Sequence, residues 1–317
     1  MNKINKKLLV VTGPTASGKS SLSIALAKRF SGEIVSADSM QIYSGMHIAT
    51  AAVDEAEKQG IPHHLTEIFP VSTVFSVAEY SRLARKTIEE IHIRGKLPIL
   101  TGGSGLYIDA VTENIDYFEE QSDYSVREKL KIRLKNDGAK PLLKELFEID
   151  PETAERLHEN DSGRIIRALE VYYLTGETMS KKKEKSRITP SEYENLIIGL
   201  NFSDRKILYD RIDKRVDEMV EKGLIKEAEN FFSALPKDLR NTAVQAIGYK
   251  ELLPYFEEKA TLEDAISLLK QKTRNYAKRQ LTWLNKKNDI HWIMMDGLSK
   301  EEIINISTEI VGNFTKV

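Results

Sequence analysis

A glycine-rich segment near the start of the chain predicts how the chain folds: Gly13-Pro14-Thr15-Ala16-Ser17-Gly18-Lys19-Ser20. It matches the pattern G-x-x-x-x-G-K-[ST], follows an apolar run at residues 8–12 and precedes a segment with helical spacing of apolar residues. In such a loop, backbone N–H groups and the positive end of the following helix surround a phosphate. Lys19 would reach the outer phosphate oxygens, and the Ser20 hydroxyl is suited to ligating Mg²⁺. The segment therefore predicts a phosphate site, with an ordinary glycine-rich turn as the alternative, and leaves open whether a nucleoside carries the phosphate.

The segments on either side of this loop alternate between strand-like and helix-like patterns. Residues 8–12, 33–38 and 97–101 are short apolar runs, and residues 19–30 and 76–94 have apolar residues at helical spacing. Continuous apolar runs are typical of strands buried on both faces of a parallel sheet. Because strands and helices alternate, we predict an α/β fold with a parallel sheet and flanking helices.

A different pattern runs from about residue 116 to 187, where helix-like segments follow one another without a strong strand candidate. A strand at residues 196–200 then resumes the α/β pattern. We therefore predict a phosphate-loop core formed by residues 1–115 and 195–317, with an all-helical insertion domain at residues 116–194. The remaining predicted elements are helices at 204–222, 225–235, 245–256 and 262–286, a strand at 291–295 and a C-terminal helix.

The composition of the 317-residue chain excludes several kinds of site. Its 47 Lys and Arg against 48 Asp and Glu give a net charge of −1, so only the local distribution of charge can indicate a nucleic-acid partner. Without cysteine there is no disulfide, no thiolate zinc site and no cysteine nucleophile. His63 and His64 have no partner at metal-ligand spacing, so no zinc site is predicted. Because no run is long enough for a membrane helix or resembles a signal peptide, we expect a cytoplasmic protein without a membrane partner.

A carboxylate ends the second predicted strand. Asp38 would lie at the C-terminal edge of the sheet beside the phosphate loop, where open α/β sheets bind ligands. Asp followed by Ser39 is also common in turn caps, and the residues alone leave a catalytic and a capping role equally open. The third strand leads into the glycine-rich residues 102–105 rather than the acid that holds a magnesium water in NTP-hydrolysing proteins. We therefore expect that ATP is not a substrate.

Five motifs occur in order along the chain: residues 13–20, Asp38-Ser39-Met40-Gln41-Ile42-Tyr43, Gly60-Ile61-Pro62-His63-His64-Leu65, Gly102-Gly103-Ser104-Gly105-Leu106-Tyr107 and Thr273-Arg274-Asn275-Tyr276-Ala277-Lys278-Arg279-Gln280-Leu281-Thr282-Trp283. Together they resemble bacterial tRNA dimethylallyltransferases, also called tRNA isopentenyltransferases, over about residues 7–287. The resemblance implies transfer of a dimethylallyl group from its diphosphate to N6 of adenosine 37, next to the anticodon of tRNA. A phosphate-loop nucleotide or small-molecule kinase is the alternative, because such enzymes share the loop and the fold, and a non-catalytic RNA-binding protein is a third reading.

The resemblance also implies a diphosphate site. Residues 13–20 would bind the prenyl diphosphate rather than ATP, with Ser20 as a catalytic residue and as the ligand of the expected cofactor, Mg²⁺. Arg205 and Arg211 would hold the same diphosphate. Diphosphate leaves readily only where preorganised donors stabilise its growing charge, which is a suitable task for these groups. From the residues alone, a solvated helix face is the favoured reading of the two arginines.

The resemblance implies that two further residues act on the adenine. By the resemblance, Asp38 accepts the proton of the adenine N6, and Ser104 contacts the reacting region. An exocyclic amine is a weak nucleophile, so a positioned general base is chemically reasonable. The stretch His47-Ile48-Ala49-Thr50-Ala51-Ala52-Val53 departs from the family pattern Asp-Ile-Gly-Thr-Ala-Lys-Pro and lacks its acid and its lysine.

A basic segment near the C-terminus indicates an RNA partner. Residues 269–288 contain seven Lys and Arg and no acid, and they include the aromatic side chains of Tyr276 and Trp283. We predict that this helix contacts the anticodon stem-loop of tRNA, from which the target adenosine is extruded, and that the protein acts as a monomer. The tRNA-binding residues predicted from this segment and from the resemblance are Asp38, Ser39, Met40, Gln41, Ser104, Arg164, Arg167, Gln245, Gly248, Tyr249, Lys250, Arg274, Lys278 and Arg279.

Overall fold

The structure, a computed structural model, describes residues 6–113, 124–186, 191–235 and 243–316. The chain forms two compact units. The core unit consists of Met1–Thr112 and Ser191–Val317, and the helical unit consists of Glu113–Pro190.

The described strands form one parallel sheet in the core unit, in the order β3-β2-β4-β1-β5-β6. Their bounds are β1 Lys6–Thr12, β2 Gly32–Ser36, β3 His63–His64, β4 Leu97–Gly102, β5 Tyr193–Asn201 and β6 Ile290–Met294. Parallel neighbours require crossover connections, and helices supply them here. The predicted α/β class with a parallel sheet and flanking helices is confirmed.

The helices of the described residues are numbered along the chain. They are α1 Lys19–Arg29, α2 Glu55–Lys58, α3 Val77–Ile93, α4 Gly105–Thr112, α5 Tyr124–Asp137, α6 Ala139–Ile149, α7 Pro151–Ala154, α8 Ser162–Thr175, α9 Met179–Ser186, α10 Arg205–Glu221, α11 Leu224–Ala234, α12 Leu253–Phe256, α13 Leu262–Leu284 and α14 Lys300–Lys316. Of these, α5 to α9 lie in the helical unit. Its described residues contain helices and no strand, as predicted.

Both faces of the sheet are covered, which explains the unbroken apolar run in β1. Leu8 and Val10 belong to the apolar layer that includes α3, α4 and α11, whereas Leu9 and Val11 belong to the layer that includes α1 and α14. All four side chains are completely buried. Successive strand residues point to opposite faces, so a strand between two helical layers needs apolar residues at every position.

One predicted helix, at residues 245–256, is wrong. The structure has a 3₁₀ turn at Ala243–Gln245, further turns and only the short helix α12 in this stretch. Gly248 adopts φ of 112°, which a helix does not accommodate, and this break separates the apolar residues whose spacing suggested a helix. The second strand is also shorter than predicted, because β2 ends at Ser36 and Asp38 lies in the turn that follows.

Candidate active site

The carboxyl ends of three neighbouring strands meet at one cleft in the core unit. The phosphate loop follows β1, Asp38 follows β2 and Ser104 follows β4, which lies between the other two strands. The cleft has a volume of about 1080 Å³. Its lining includes Lys19, Ser20, Asp38, Gln41, Arg211, Arg215, Tyr276 and Gln280. This edge of an open parallel sheet is where ligands bind, so the strand order brings the predicted loop and carboxylate to one site.

The phosphate loop leads into α1 without a side-chain cap. Gly18, the residue before the helix, is left-handed with φ of 90°, and no side chain accepts a hydrogen bond from the first turn. Uncapped N–H groups at a helix start form a site for an anion. Ala16 also has a positive φ, of 63°, which costs energy in a residue with a Cβ atom. Its carbonyl accepts a hydrogen bond from Nε of Arg211 at 3.0 Å, which stabilises the loop conformation.

Lys19 lies in a site that is short of negative charge. Its Nζ donates to the Pro14 carbonyl at 3.0 Å. Burial, assisted by the positive charge of Arg215, lowers the pKa of Lys19 to about 8, and Asp38 opposes this effect only in part. A bound anion would stabilise the protonated amine. The electrostatics of the cleft therefore favour an anionic ligand next to Lys19.

Two arginines one helical turn apart on α10 line the cleft. Arg211 lies over the ring of Phe202, 5.4 Å from its centroid. Burial lowers the pKa of Arg215, and no carboxylate of the described residues forms an ion pair with it. A partly buried, planar guanidinium without a carboxylate partner is suited to an anion such as phosphate, whose oxygens can accept two parallel N–H bonds.

Arg205 does not join this pair. It is exposed at the first position of α10 and is not among the residues that line the cleft. Positions six apart on a helix lie on different sides, whereas positions four apart share one. The structure thus brings Arg211 together with Arg215, which the sequence analysis did not single out.

Asp38 occupies the turn after β2 and lines the cleft. Its Oδ1 accepts the backbone N–H of Met40 at 2.9 Å, which forms an Asx turn. Among the described residues no hydrogen bond occupies Oδ2. One carboxylate oxygen therefore shapes the turn while the other remains available to a ligand.

Ser104 and Tyr276 lie close to Asp38. The Ser104 Oγ accepts the backbone N–H of Ser39 at 3.3 Å. Burial, with a further contribution from the charge of Asp38, raises the pKa of Tyr276 to about 12, and hydrogen bonds that its phenol oxygen accepts from Ser104 and Gln280 oppose the shift. Tyr276 is therefore a neutral donor beside the carboxylate at physiological pH.

Apolar side chains also line the cleft. They include Ile48 and Val53 of the loop after β2 and Met219 of α10. Residues 47–53, which depart from the family pattern, are anchored to α11. Glu227 of that helix accepts the N–H groups of Ile48 at 2.7 Å and Ala49 at 2.9 Å. The lining of the cleft thus has an apolar part that suits a hydrocarbon substituent.

Acidic side chains of α10 neutralise part of the positive charge of the basic segment on α13. Arg274 pairs with Asp213 of α10, with an Nη1–Oδ2 distance of 2.7 Å. Lys278 and Arg279 are exposed and lie over the rings of Tyr209 and Tyr276. The segment is free of acids in sequence, but α10 supplies acids across the helix pair, so Lys278 and Arg279 are more accessible than Arg274.

The other predicted tRNA-binding residues are dispersed. Tyr249 is completely buried and its hydroxyl donates to Glu227 at 2.8 Å, and Gly248 is buried as well, whereas Gln245 and Lys250 are exposed. In the helical unit, α8 carries Arg164, which is exposed beside Asp161, and Arg167, which pairs with the buried Glu170 at 2.9 Å. Of the turn after β2, Ser39 and Met40 are half-buried, and Gln41 lines the cleft.

Known proteins resemble this chain over nearly its whole length. A tRNA dimethylallyltransferase of Acetivibrio thermocellus is 46% identical over 297 residues, covering 94% of this chain and 94% of the relative. A tRNA dimethylallyltransferase of Bacillus cereus is 47% identical over 303 residues, covering 94% and 93%. A family model described as IPP transferase matches residues 41–287. The chain belongs to the IPP transferase family.

Solved structures of this family agree with the fold. The full-length tRNA isopentenylpyrophosphate transferase of Bacillus halodurans aligns with a TM-score of 0.72 and 43% identity, covering 98% of this chain and 97% of that one. A eukaryotic dimethylallyltransferase acting on tRNA aligns with a TM-score of 0.79 and 32% identity, covering 97% of this chain and 80% of that one. The resemblance inferred from the five motifs is confirmed.

Proposed function

We propose that this IPP transferase family member moves a dimethylallyl group from dimethylallyl diphosphate to N6 of adenosine 37 of tRNA. One observation carries the proposal: a single cleft is lined by Lys19, Arg211 and Arg215, by the carboxylate of Asp38 and by the apolar side chains of Ile48, Val53 and Met219. The cations suit the diphosphate, and the carboxylate suits the amine that must lose a proton. The names of the relatives support the same reaction.

In the proposed step, the bond between prenyl C1 and the ester oxygen of the diphosphate breaks as a bond forms between C1 and N6 of adenine. The diphosphate leaves with the electron pair of the broken bond, and Asp38 accepts the proton that N6 loses. Lys19, Arg211 and Arg215 stabilise the charge that develops on the leaving group. Because the target base is stacked in the anticodon loop, it must be extruded to reach Asp38.

Mg²⁺ fits this site as an ion that arrives with the diphosphate. Ser20 lines the cleft directly after Lys19, and Mg²⁺ commonly takes one or two protein oxygens, substrate phosphate oxygens and waters. Within the described ranges, no three His, Cys, Asp or Glu side chains cluster as metal ligands. We therefore propose the Ser20 hydroxyl as the protein ligand, and the bound ion would withdraw charge from the leaving group.

The proposed partner is the anticodon stem-loop of tRNA, bound in part through Lys278 and Arg279 of α13. We propose that a monomer in the cytoplasm carries out the reaction, with the core unit performing the chemistry and the helical unit acting as an insertion domain that contributes Arg164 and Arg167. Within the described residues, no helix has the length and apolar character needed to cross a membrane.

Radiolabelled dimethylallyl diphosphate offered with unmodified tRNA tests the proposal directly. We expect label in the tRNA, located at N6 of adenosine 37 after nuclease digestion, and loss of transfer in Lys19→Ala. The kinase alternative predicts phosphate transfer from ATP instead, although β4 of this chain ends in Thr101-Gly102 without an acid. Steady ATP turnover without incorporation of the prenyl label would contradict the proposal.

A further inference from the structure

Gln280 is a buried amide on α13 that takes no part in the steps above. Its side chain is 5% exposed and lines the cleft one helical turn after Tyr276. A buried amide needs partners at both its oxygen and its nitrogen, because an unpaired polar group in the interior is destabilising. Both partners are present, and they belong to two different loops.

The two ends of the amide connect the phosphate loop to the turn after β4. Oε1 of Gln280 accepts the backbone N–H of Thr15 at 2.8 Å, and Nε2 donates to the carbonyl of Gly103 at 3.1 Å. In this orientation the amide oxygen faces a donor and the amide nitrogen faces an acceptor. The flipped orientation would place two donors together at one end and two acceptors together at the other. A glutamate could accept from Thr15 but could not donate to Gly103, so the side chain must be an amide for both bonds to form.

The close approach to Gly103 depends on the absence of a side chain there. A Cβ atom at residue 103 would lie 2.0 Å from Nε2 of Gln280, well inside van der Waals contact. Three residues further along α13, the indole of Trp283 donates to Asp109 of α4 at 2.9 Å. The helix α13 therefore contacts both the turn after β4, at Gly103, and the helix α4 that follows this turn.

The bridge links the two halves of the proposed chemistry. Thr15 belongs to the loop that would bind the leaving diphosphate, and Gly103 immediately precedes Ser104, which hydrogen-bonds the backbone beside Asp38. The distance between prenyl C1 and the adenine N6 depends on how these loops are spaced. Transfer rates are steep in such distances, because a displacement of about 1 Å can cost roughly 100-fold.

We propose that Gln280 is a positioning residue that fixes the spacing between the diphosphate cradle and the adenine site. It acts through Thr15 and Gly103 rather than by touching the substrate, and the proposal rests on the proposed transfer reaction. The bridge should therefore matter for the rate of the chemical step more than for the binding of either substrate alone.

The variant Gln280→Met tests this proposal because methionine has a similar length, no charge and no amide. We expect the single-turnover transfer rate, with both substrates saturating, to fall about 10- to 100-fold. The dissociation constants of inorganic diphosphate and of tRNA should stay near the wild-type values. Gln271→Met on the same helix is the matched control, because Gln271 is exposed, and its transfer rate should equal that of the wild type.

A second variant separates positioning from a loss of folding. Gly103→Ala would displace the amide from the other side, and its rate should fall in a similar manner. If both variants disrupt one bridge, the double variant Gln280→Met/Gly103→Ala should be little slower than either single variant. Thermal melts of all variants report whether each is folded, and if Gln280→Met does not fold, Gly103→Ala alone decides.

The outcomes distinguish this proposal from the function on which it rests. If the wild-type protein does not transfer the prenyl group to tRNA, the proposed function itself fails. If the wild type is active, an unchanged rate in the folded variants would overturn the positioning role. Losses that simply add in the double variant, or that appear only as weaker diphosphate binding, would also overturn it.

Discussion

At the scale of single residues, Asp38 combines a structural task with the proposed chemical one. Its Oδ1 caps the turn after β2, and its side chain lines the cleft. Asp38→Asn preserves the cap, since an amide oxygen also accepts the N–H of Met40, but it removes the base. We therefore expect a folded variant whose single-turnover transfer rate falls by roughly 10²- to 10⁴-fold.

Asp54 provides the control for the Asp38 experiment. It lines the same cleft and caps α2 by accepting the N–H of Glu57, but it is exposed and has no proposed role in proton transfer. Asp54→Asn should therefore transfer at the wild-type rate. Near wild-type transfer by a folded Asp38→Asn variant that binds tRNA normally would refute the role of Asp38 as the general base.

A second residue-scale prediction concerns the pH dependence set by Lys19. Its pKa in the folded protein is lowered to about 8, below the value of 10.5 for a free side chain. Below this pH the amine is protonated and attracts the diphosphate, and above it the charge is lost. Because kcat/KM reports the ionisation of the free enzyme, kcat/KM for dimethylallyl diphosphate should decline above about pH 8.

Substitution identifies the group responsible for that decline. In Lys19→Arg the guanidinium stays protonated, so the remaining activity should not show the alkaline decline near pH 8. Lys28→Ala removes an exposed lysine from the same cleft, and this variant should still show the alkaline decline. The assignment is wrong if the decline persists unchanged in Lys19→Arg.

At the scale of secondary structure elements, α10 presents one pair of arginines to the cleft. Arg215→Ala should weaken the binding of inorganic diphosphate about 10-fold or more, because it removes a guanidinium that has no carboxylate partner among the described residues. Arg205→Ala on the exposed start of the helix should have a much smaller effect. Isothermal titration of both variants compares the two positions, and equal losses would restore Arg205 to the diphosphate site.

The helix α13 has one side in the core and another toward solvent. Leu281 and Leu284 are buried, whereas Lys278 and Arg279 are exposed. Removing both cations should weaken tRNA binding and reduce the slope of log K against log salt by about one to two units. Inorganic diphosphate binding should be unchanged.

Arg274 gives the comparison for α13, because its ion pair with Asp213 already compensates its charge. Arg274→Ala should change the salt slope less than the double variant does, and should instead lower the melting temperature by loosening the contact with α10. A salt slope that does not change in the double variant would identify the exposed face as ordinary solvated surface.

At the scale of the whole molecule, the core unit has its own sheet and its own apolar layers. The side chain of Asn195 donates to the carbonyl of Thr112 at 3.2 Å and to the Ser191 hydroxyl at 3.3 Å, so the two ends at which the helical unit is inserted lie together. Replacing residues 113–190 with a short Gly-Ser linker should therefore leave a cooperatively folded protein that binds inorganic diphosphate. A truncated protein that melts without a cooperative transition would contradict this expectation.

The same truncation should weaken tRNA binding. It removes Arg164 and Arg167 together with the lysines of α9, and each lost phosphate contact lowers affinity. Filter binding of tRNA to the full chain and to the truncated chain measures the loss. Equal affinity would show that the helical unit does not contact the RNA.

Features that depend on neighbouring residues can be predicted from the sequence. The loop at residues 13–20 requires a particular order of glycines, lysine and serine, and the apolar run in β1 requires burial on both faces. Local patterns of this kind predict a phosphate loop, a parallel sheet and a basic helix near the C-terminus because their physical cause lies within one turn or one strand. The family followed from five such motifs in order.

Which distant side chains meet depends on the packing of the folded chain. The sheet order places β4 between β1 and β2, which brings Ser104 between the phosphate loop and Asp38. The rotation of α10 and α13 determines that Arg215 rather than Arg205 lines the cleft and that Gln280 bridges two loops. These contacts join segments up to 265 residues apart, and no local pattern encodes them, because they arise from how the helices pack on the sheet.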